Sequence, residues 1–263
     1  MRSTIKYYSE KDKEKLPLVL SCSKIHEIMK YYNITNYITD IEYSLIFKNI
    51  VPMNAIRCFY SQRKQIKKQA EKRLGRKLYS RLPLQINSIF QITEVLHWEI
   101  PIQLCCDLMV SPNGIPWEKR KDLSNQILPY HIANPDTVYQ DVFNIPRYCS
   151  GTFLWSLLHL YKKMYNANFK YIEYGKPSNK IFDFAKKRVK HNNPSYSINK
   201  FYMIGDNPDV DIKGANNSGI DSILVRTGLF TGKGNDDKYP AKIVCDNVYQ
   251  GIIEIFKREK IKH

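Results

Sequence analysis

FYMIGDNPDVDIKGANNSGIDSILVRTG, running from Phe201 to Gly228, reads as strand, acidic loop, helix and strand in that order. Phe201 to Ile204 is an apolar run of strand length, Gly205 frees the backbone for a sharp turn, and the polar stretch beyond it leads into a short helix ending near Gly219. A second apolar run follows from Ser222 to Val225. Such a βαβ unit requires a parallel sheet, and parallel sheets collect their ligands outside the carboxyl ends of the strands. Asp206 lies at that edge, and Asp211 follows within the same loop.

Two carboxylates at such an edge suit a hard divalent cation. Mg²⁺ takes oxygen ligands in near-octahedral geometry and usually draws only one or two carboxylates from the protein, the rest being water and substrate phosphate. Asp206 is the candidate ligand, and Asp211 the group that orients it or its waters. Asp206, Asn207 and Asp209 are also ordinary turn formers and helix caps, so the loop alone leaves both readings open.

YIEYGKPS, Tyr171 to Ser178, adds a second observation. A strand ends in Gly-Lys-Pro and opens a helix: Pro177 fits a first helical turn, and Ile181, Phe182, Ala185 and Val189 give that helix one apolar face. Lys176 should therefore emerge beside the sheet's carboxyl edge, where an ammonium can hold a phosphoryl oxygen and a nearby carboxylate. A solvated surface lysine is the commoner reading of any single lysine. Its pairing with Asp206 argues against that here.

These motifs resemble those of the haloacid dehalogenase superfamily, in its subfamily IIA of phosphatases with a large cap domain. GKPS is similar to the family's lysine motif and GDNPDVDIKGANNSGIDSILVRTG to its metal-binding motif. Ala133-Asn-Pro-Asp136, with Pro146 and Gly151 beyond it, resembles the segment where the chain returns from cap to core. HIANPDTVYQDVFNIPRYCSGTF from His131 to Phe153 and the late Cys245-Asp-Asn-Val248 are most similar to the haloacid dehalogenase-like hydrolase domain-containing group, which includes the cat eye syndrome critical region protein. The resemblance implies an α/β fold, a partial Rossmann-like core with a parallel sheet plus an α/β cap. It implies Mg²⁺ as cofactor, a small phosphorylated metabolite as substrate, Lys176 as the phosphate-stabilising group and Asp206 with Asp211 at the metal. Asn134, Asp136 and Asn207 would face the substrate or the cap-return loop.

The family works through an aspartate nucleophile in an Asp-x-Asp segment ending its first strand, with the second aspartate as the acid. Asp209-Val-Asp211 is the sole Asp-x-Asp of this sequence, and it belongs to the metal loop. Leu18-Val-Leu-Ser21 ends an apolar run in a hydroxyl, as the family's serine motif does, but the residues after it read better as the first strand and helix of the cap. The expectation is a chain truncated at its amino end and without normal turnover, its parent activity being Mg²⁺-dependent phosphate-ester hydrolysis through an aspartyl phosphate. A silent phosphate- and metal-binding remnant is the alternative. Loss of the central first strand should also leave its neighbours with an open edge.

A length of 263 residues supports two lobes. The division is expected near 147, with residues 1–147 as the cap and 148–263 as the carboxy-terminal half of the core. Strands are expected near Pro17 to Leu20, Leu84 to Ile92 and Gln126 to Ala133, and helices near Lys24 to Tyr32 and Pro101 to Val110. Phe153, Leu154, Leu157, Leu158, Tyr161 and Met164 mark an amphipathic helix of the second lobe. A last helix, capped by Asn247, should bury Val248, Ile252, Ile255 and Phe256.

Lys and Arg outnumber Asp and Glu by 41 to 25, a formal charge of +16. The densest run, Arg57 to Arg81, reads as a basic helix broken at Gly75 that could lie against phosphates or an anionic membrane. It has no nucleic-acid motif and too few aromatics for a stacking platform, so nucleic acid is a third reading behind the two above. The field would still draw in anionic substrates. The six cysteines show no paired metal-ligand spacing and read as buried thiols of a reducing interior. His131, near the Asn-Pro-Asp segment, reads as a structural histidine in a strand. No apolar run is long enough to span a bilayer. The resemblance suggests a mitochondrial location, with the cytoplasm as the alternative.

Overall fold

The computed structural model describes residues 1–12, 14–20, 22, 24–47, 49–51 and 57–261; Ser21 lies outside them. Two compact units interleave along the chain, Met1–Asn134 with Ser150–Glu173 in the first and Pro135–Cys149 with Tyr174–His263 in the second. The chain passes between the units three times, at 134/135, 149/150 and 173/174, where one division was expected near 147.

In chain order the elements are α1 (Arg2–Lys11), β1 (Lys15–Val19), α2 (Ile25–Tyr31), β2 (Ile38–Thr39), α3 (Asp40–Ile46), a 3-10 turn (Arg57–Gln62) leading into α4 (Arg63–Leu74), β3 (Gln85–Gln91), α5 (Glu99–Val110) and β4 (Tyr130–Ile132). A two-residue hairpin pair, β5 (Val138–Tyr139) and β6 (Arg147–Tyr148), precedes α6 (Ser150–Tyr165) and β7 (Tyr171–Glu173). The rest is α7 (Asn179–Asn192), β8 (Tyr202–Gly205), a π turn (Pro208–Ile212) running into α8 (Lys213–Asn217), β9 (Asp221–Val225), β10 (Ile243–Cys245) and α9 (Val248–Arg258).

The first unit is a five-stranded parallel sheet in the order β2-β1-β3-β4-β7 with helices on both faces. Alternation along β1 sets the two faces: Leu16, Leu18 and Leu20 join one cluster, while Val19 joins the other with Ile5, Ile25 and Met29. On the larger side α5 is apolar nearly all round, with Ile100, Leu104, Cys105 and Leu108 buried, as befits a helix inside the core. Phe153, Leu154, Leu157 and Tyr161 of α6 pack there at helical spacing, whereas Met164 is exposed. That helix belongs to the first unit, not to the carboxy-terminal lobe where its position in the sequence suggested. Its neighbour β7, the strand before Gly-Lys-Pro, likewise pairs with β4, Tyr130 opposite Tyr171, and is no part of the sheet that carries Asp206. His131 is buried on β4 and stacks on Phe90 with ring centroids 4.5 Å apart.

In the second unit β10, β9 and β8 form a parallel sheet in that order. β9 is central, with Ile223 and Leu224 on opposite faces. β8 is an edge strand, and all four of its residues are only half-buried despite the apolar reading Tyr-Met-Ile-Gly. So small a sheet covers little of its helices. Of the four apolar residues expected on one face of α7 only Phe182 is buried, Ala185 and Val189 being exposed. α9 is capped as expected, the Asn247 side chain accepting from the Gln250 N–H at 3.0 Å. Its apolar face is not buried as expected: Val248 is 49% and Ile252 39% exposed. Gly251 makes the close approach instead, where a Cβ would stand 3.2 Å from Ile223.

No helix among the described residues is long and apolar enough to cross a membrane. All six cysteines are free thiols; Cys105, Cys106, Cys149 and Cys245 are buried and Cys58 is exposed.

Candidate functional site

Both loops singled out in the sequence reach one cavity of about 640 Å³, inside the second unit at the carboxyl ends of β8 and β9. Lys176, Asp206, Asn207 and Asp211 line it, with Asp136 on a further side. Asn134 does not line it and belongs to the first unit.

The local backbone explains how two carboxylates of one loop take different positions. Asn207 is extended, and its carbonyl accepts the N–H groups of Val210, Asp211 and Ile212 at 3.3, 2.7 and 3.4 Å. This winds the next residues into the π turn, a form frequent at functional sites. Asp211, expected in a loop, thus lies in a helical turn and points inward, 3% exposed.

Asp211 is fully engaged. Its Oδ1 receives the Lys176 Nζ at 2.5 Å, and its Oδ2 accepts the Asn207 N–H at 3.2 Å. A carboxylate this deeply buried needs its cation and its hydrogen bonds, because desolvation otherwise outweighs any gain. Asp206 is less committed: Oδ2 accepts the Leu229 N–H at 2.8 Å, and Oδ1 has no hydrogen-bond partner among the described residues. Its carbonyl also takes the Phe230 N–H at 3.0 Å, so the segment after β9 is fastened to it twice. Lys176 therefore touches Asp211 rather than Asp206, while all three share the cavity. Asp209 is exposed, paired with Lys238 at 3.1 Å, and lines no part of it.

Two glycines make this packing possible. A Cβ on Gly205 would stand 2.4 Å from the Cβ and Oδ2 of Asp211, and a Cβ on Gly228 1.9 Å from Asp206 Oδ2. The sequence reading valued Gly205 for its turn and missed Gly228, although a glycine just past the end of a neighbouring strand signals close backbone approach. It also missed Val138, Tyr139 and Gln140, the hairpin residues lining the same cavity. Nothing in their own residue types marks them.

The donor set is hard oxygen. No three His, Cys, Asp or Glu side chains converge as a metal cage among the described residues, so a cation on Asp206 would complete its shell from water and ligand oxygen. That is the habit of Mg²⁺ rather than of a structural zinc.

Comparison with known proteins adds the following. Residues 173–250 match the HAD-hydrolase-like family. A cardiolipin synthase (CMP-forming) / mitochondrial hydrolase fusion protein of Schizosaccharomyces pombe is 33% identical over 171 residues, covering 64% of this chain and 28% of that protein. A mitochondrial hydrolase of Saccharomyces cerevisiae is 29% identical over 174 residues, covering 57% of this chain and 49% of that protein. The chain thus spans less than half the length of either curated relative. Among solved structures, a possible sugar phosphatase of the HAD superfamily from Cytophaga hutchinsonii aligns with a TM-score of 0.54 over 93% of this chain and 68% of its own. At 18% identity the likeness is one of fold.

Proposed function

We propose that the second unit, whose residues 173–250 match the HAD-hydrolase-like family, binds Mg²⁺ and the phosphoryl group of a small phosphorylated metabolite, within a parent activity of phosphate-ester hydrolysis. The observation that carries this reading is the cavity shared by Lys176, Asp206 and Asp211. Asp206, with an oxygen to spare, is the proposed ligand of the cation. Mg²⁺ there would neutralise charge on the phosphoryl oxygens. Asp211 holds Lys176 in place, and the lysine ammonium meets the phosphoryl group from the other side. Asp136 and Asn207 are proposed to contact the rest of the substrate. The first unit, an α/β layer structure of its own, is proposed as the cap.

One observation favours binding without turnover for the chain as it stands. Neither member of its Asp-x-Asp is presented for attack on phosphorus: Asp209 lines no part of the cavity, and Asp211 is 3% exposed with both oxygens engaged, by Lys176 and by the Asn207 N–H. Calorimetric titration of the whole chain with Mg²⁺ and inorganic phosphate, beside a p-nitrophenyl phosphate assay with and without chelator, separates the possibilities. The expected result is Mg²⁺ binding that phosphate strengthens, with Lys176→Met losing the phosphate enhancement and also some stability, since Asp211 is left buried without its cation. Mg²⁺-dependent release of nitrophenol would establish the enzyme, and binding without release the silent form. No Mg²⁺ binding at millimolar concentration would refute both.

The names of both curated relatives place them in mitochondria, and we propose the same compartment here. Cell fractionation should find the protein with mitochondria, and recovery with the cytosol would count against it.

A further inference from the structure

The positive charge of this chain is concentrated. Residues 57–81 hold ten of the 41 Lys and Arg against one acid, Glu71, and so carry nine of the sixteen net positive charges. The 3-10 turn and α4 take up the first eighteen of them, and α4 ends at Gly75 in the left-handed region with φ 67°; Arg76, Lys77 and Arg81 follow in the loop beyond. The inner face serves the first unit: Ala70 is buried, Ile66 and Leu74 pack on the core, and Arg63 donates to the Leu45 carbonyl at 2.7 Å. Arg73 is paired with Glu42, and Glu71 lies 3.8 Å from Lys67 and 3.9 Å from Lys77.

The outer face is different. Arg57, Lys64, Lys68, Lys72 and Arg81 are exposed, with no ion pair or hydrogen bond among the described residues. Lys64, Lys68 and Lys72 recur every fourth residue and so form one ridge along the helix. Beyond the ends of this ridge stand apolar side chains left in water, Tyr60 at 42%, Tyr79 at 62% and Leu82 at 68% exposure.

We propose that this face docks on a bilayer surface carrying anionic phospholipids, the lysine ridge over the phosphates and Tyr60, Tyr79 and Leu82 at the headgroup level. Cations near an anionic leaflet and apolar side chains in the headgroup zone are the two contributions that hold peripheral proteins to membranes, and the segment from Arg57 to Leu82 exposes both. A nucleic-acid groove would need aromatics between the cations for bases to stack on, and α4, reading RKQIKKQAEKRL, has none. Nor would tracking a phosphate backbone give exposed Leu82 anything to do. The inference is independent of the cavity in the second unit.

The test is co-sedimentation of the whole chain with vesicles of phosphatidylcholine alone and of phosphatidylcholine with one-third phosphatidylglycerol. Binding is expected only to the anionic vesicles, and it should weaken steeply with added salt. Each cation near such a surface strengthens binding about fivefold, so Lys64→Gln, Lys68→Gln and Lys72→Gln together should cost on the order of a hundredfold. The three side chains are exposed and unpaired, so the fold should be unchanged by circular dichroism. Tyr79→Ser with Leu82→Ser, at unchanged charge, should cost about tenfold by loss of the inserted apolar surface. Lys187→Gln, Arg188→Gln and Lys190→Gln on α7, with the same change in net charge, should leave binding within about twofold, since they belong to another helix and are no part of the ridge. Equal losses from the two triple variants, no loss from the first, or no loss from the Tyr79 and Leu82 pair would overturn the proposal. So would duplex DNA or RNA displacing the vesicles at equal phosphate concentration.

Discussion

Replacing Glu42 with alanine is expected to destabilise the first unit by about 3–5 kcal/mol, the cost of leaving a buried cation without its partner. Glu42 is buried at the start of α3, where its Oε1 takes the Arg73 Nη1 at 2.8 Å and its Oε2 takes the Arg73 Nη2 at 2.7 Å. The same Oε2 accepts the Thr39 N–H at 3.0 Å, while the Thr39 hydroxyl accepts the Glu42 N–H at 3.2 Å. One side chain thus neutralises a guanidinium and completes a capping box, whose loss alone costs about 1 kcal/mol. Arg73 has little water to turn to: its side chain is 16% exposed and stacks 4.2 Å over the Tyr37 ring. Glu42→Gln keeps an acceptor for the cap but not the charge, so its loss should fall between. Urea denaturation measures both, and a loss below about 1 kcal/mol for the alanine variant would show that Arg73 finds water after all.

His26, beside this pair, brings a pH dependence. Burial lowers the pKa of His26, and Arg73 lowers it further against the opposing pull of Glu42. Burial pushes the Tyr37 phenol up to about 12, so at neutral pH it is a donor, and it stands 2.7 Å from His26 Nδ1. The folded chain therefore favours the neutral His26 imidazole more than the unfolded chain does, whose histidine takes up a proton near pH 6.5 or so. Its contribution to stability is complete above about that pH and is lost as pH falls through the lower folded value. The urea midpoint should drop between about pH 7.5 and 5.5, and drop less in His26→Gln.

How much of this was legible follows from what a pattern can encode. β8 and β9 stood out because apolar runs bounded by Gly and polar turns have few other uses, and Gly75 and Asn247 marked helix ends because only certain residues suit those backbone positions. Asp206 and Asp211 were legible because they follow a strand of a parallel sheet, and Lys176 because Gly-Lys-Pro opens a helix after a strand, although that strand pairs in the other sheet and the two loops share no sheet edge. Pairing partners were not legible. Tyr171-Ile-Glu173 has the residue types of a strand in either sheet, and only its register with β4 assigns it to the first unit. Amphipathicity showed that α9 has an apolar face, but not that a three-stranded sheet would leave Val248 and Ile252 half in water. The π turn was equally hidden, since it depends on the Asn207 carbonyl gathering three N–H groups rather than on any residue type.

Asp206→Asn and Gly228→Ala are expected to abolish or cripple Mg²⁺ binding by separate routes, which makes them the sharpest check on the cavity. The asparagine keeps an oxygen for the Leu229 N–H, so the loop after β9 stays fastened and the urea midpoint should be nearly unchanged. Only the charge goes, and with it the proposed ligand. The loss in affinity should exceed the roughly 10–100-fold typical of removing a group behind a ligand. Gly228→Ala acts through space: the new Cβ would stand 1.9 Å from Asp206 Oδ2 and 2.6 Å from its Cγ, so the carboxylate must swing away and give up the Leu229 bond. A side-chain end can yield in this way, so the cost should fall mainly on affinity, roughly 10–100-fold. Gly205→Ala differs, because the obstruction includes the Asp211 Cβ at 2.4 Å, an atom that cannot move without the π turn. That variant should lose about 1–3 kcal/mol of stability as well. Calorimetry with Mg²⁺ and urea melts on the three proteins give six numbers that must fall in this order. Wild-type affinity in Asp206→Asn would place the cation elsewhere, and a Gly228→Ala variant with both quantities intact would mean that Asp206 does not need the position it holds.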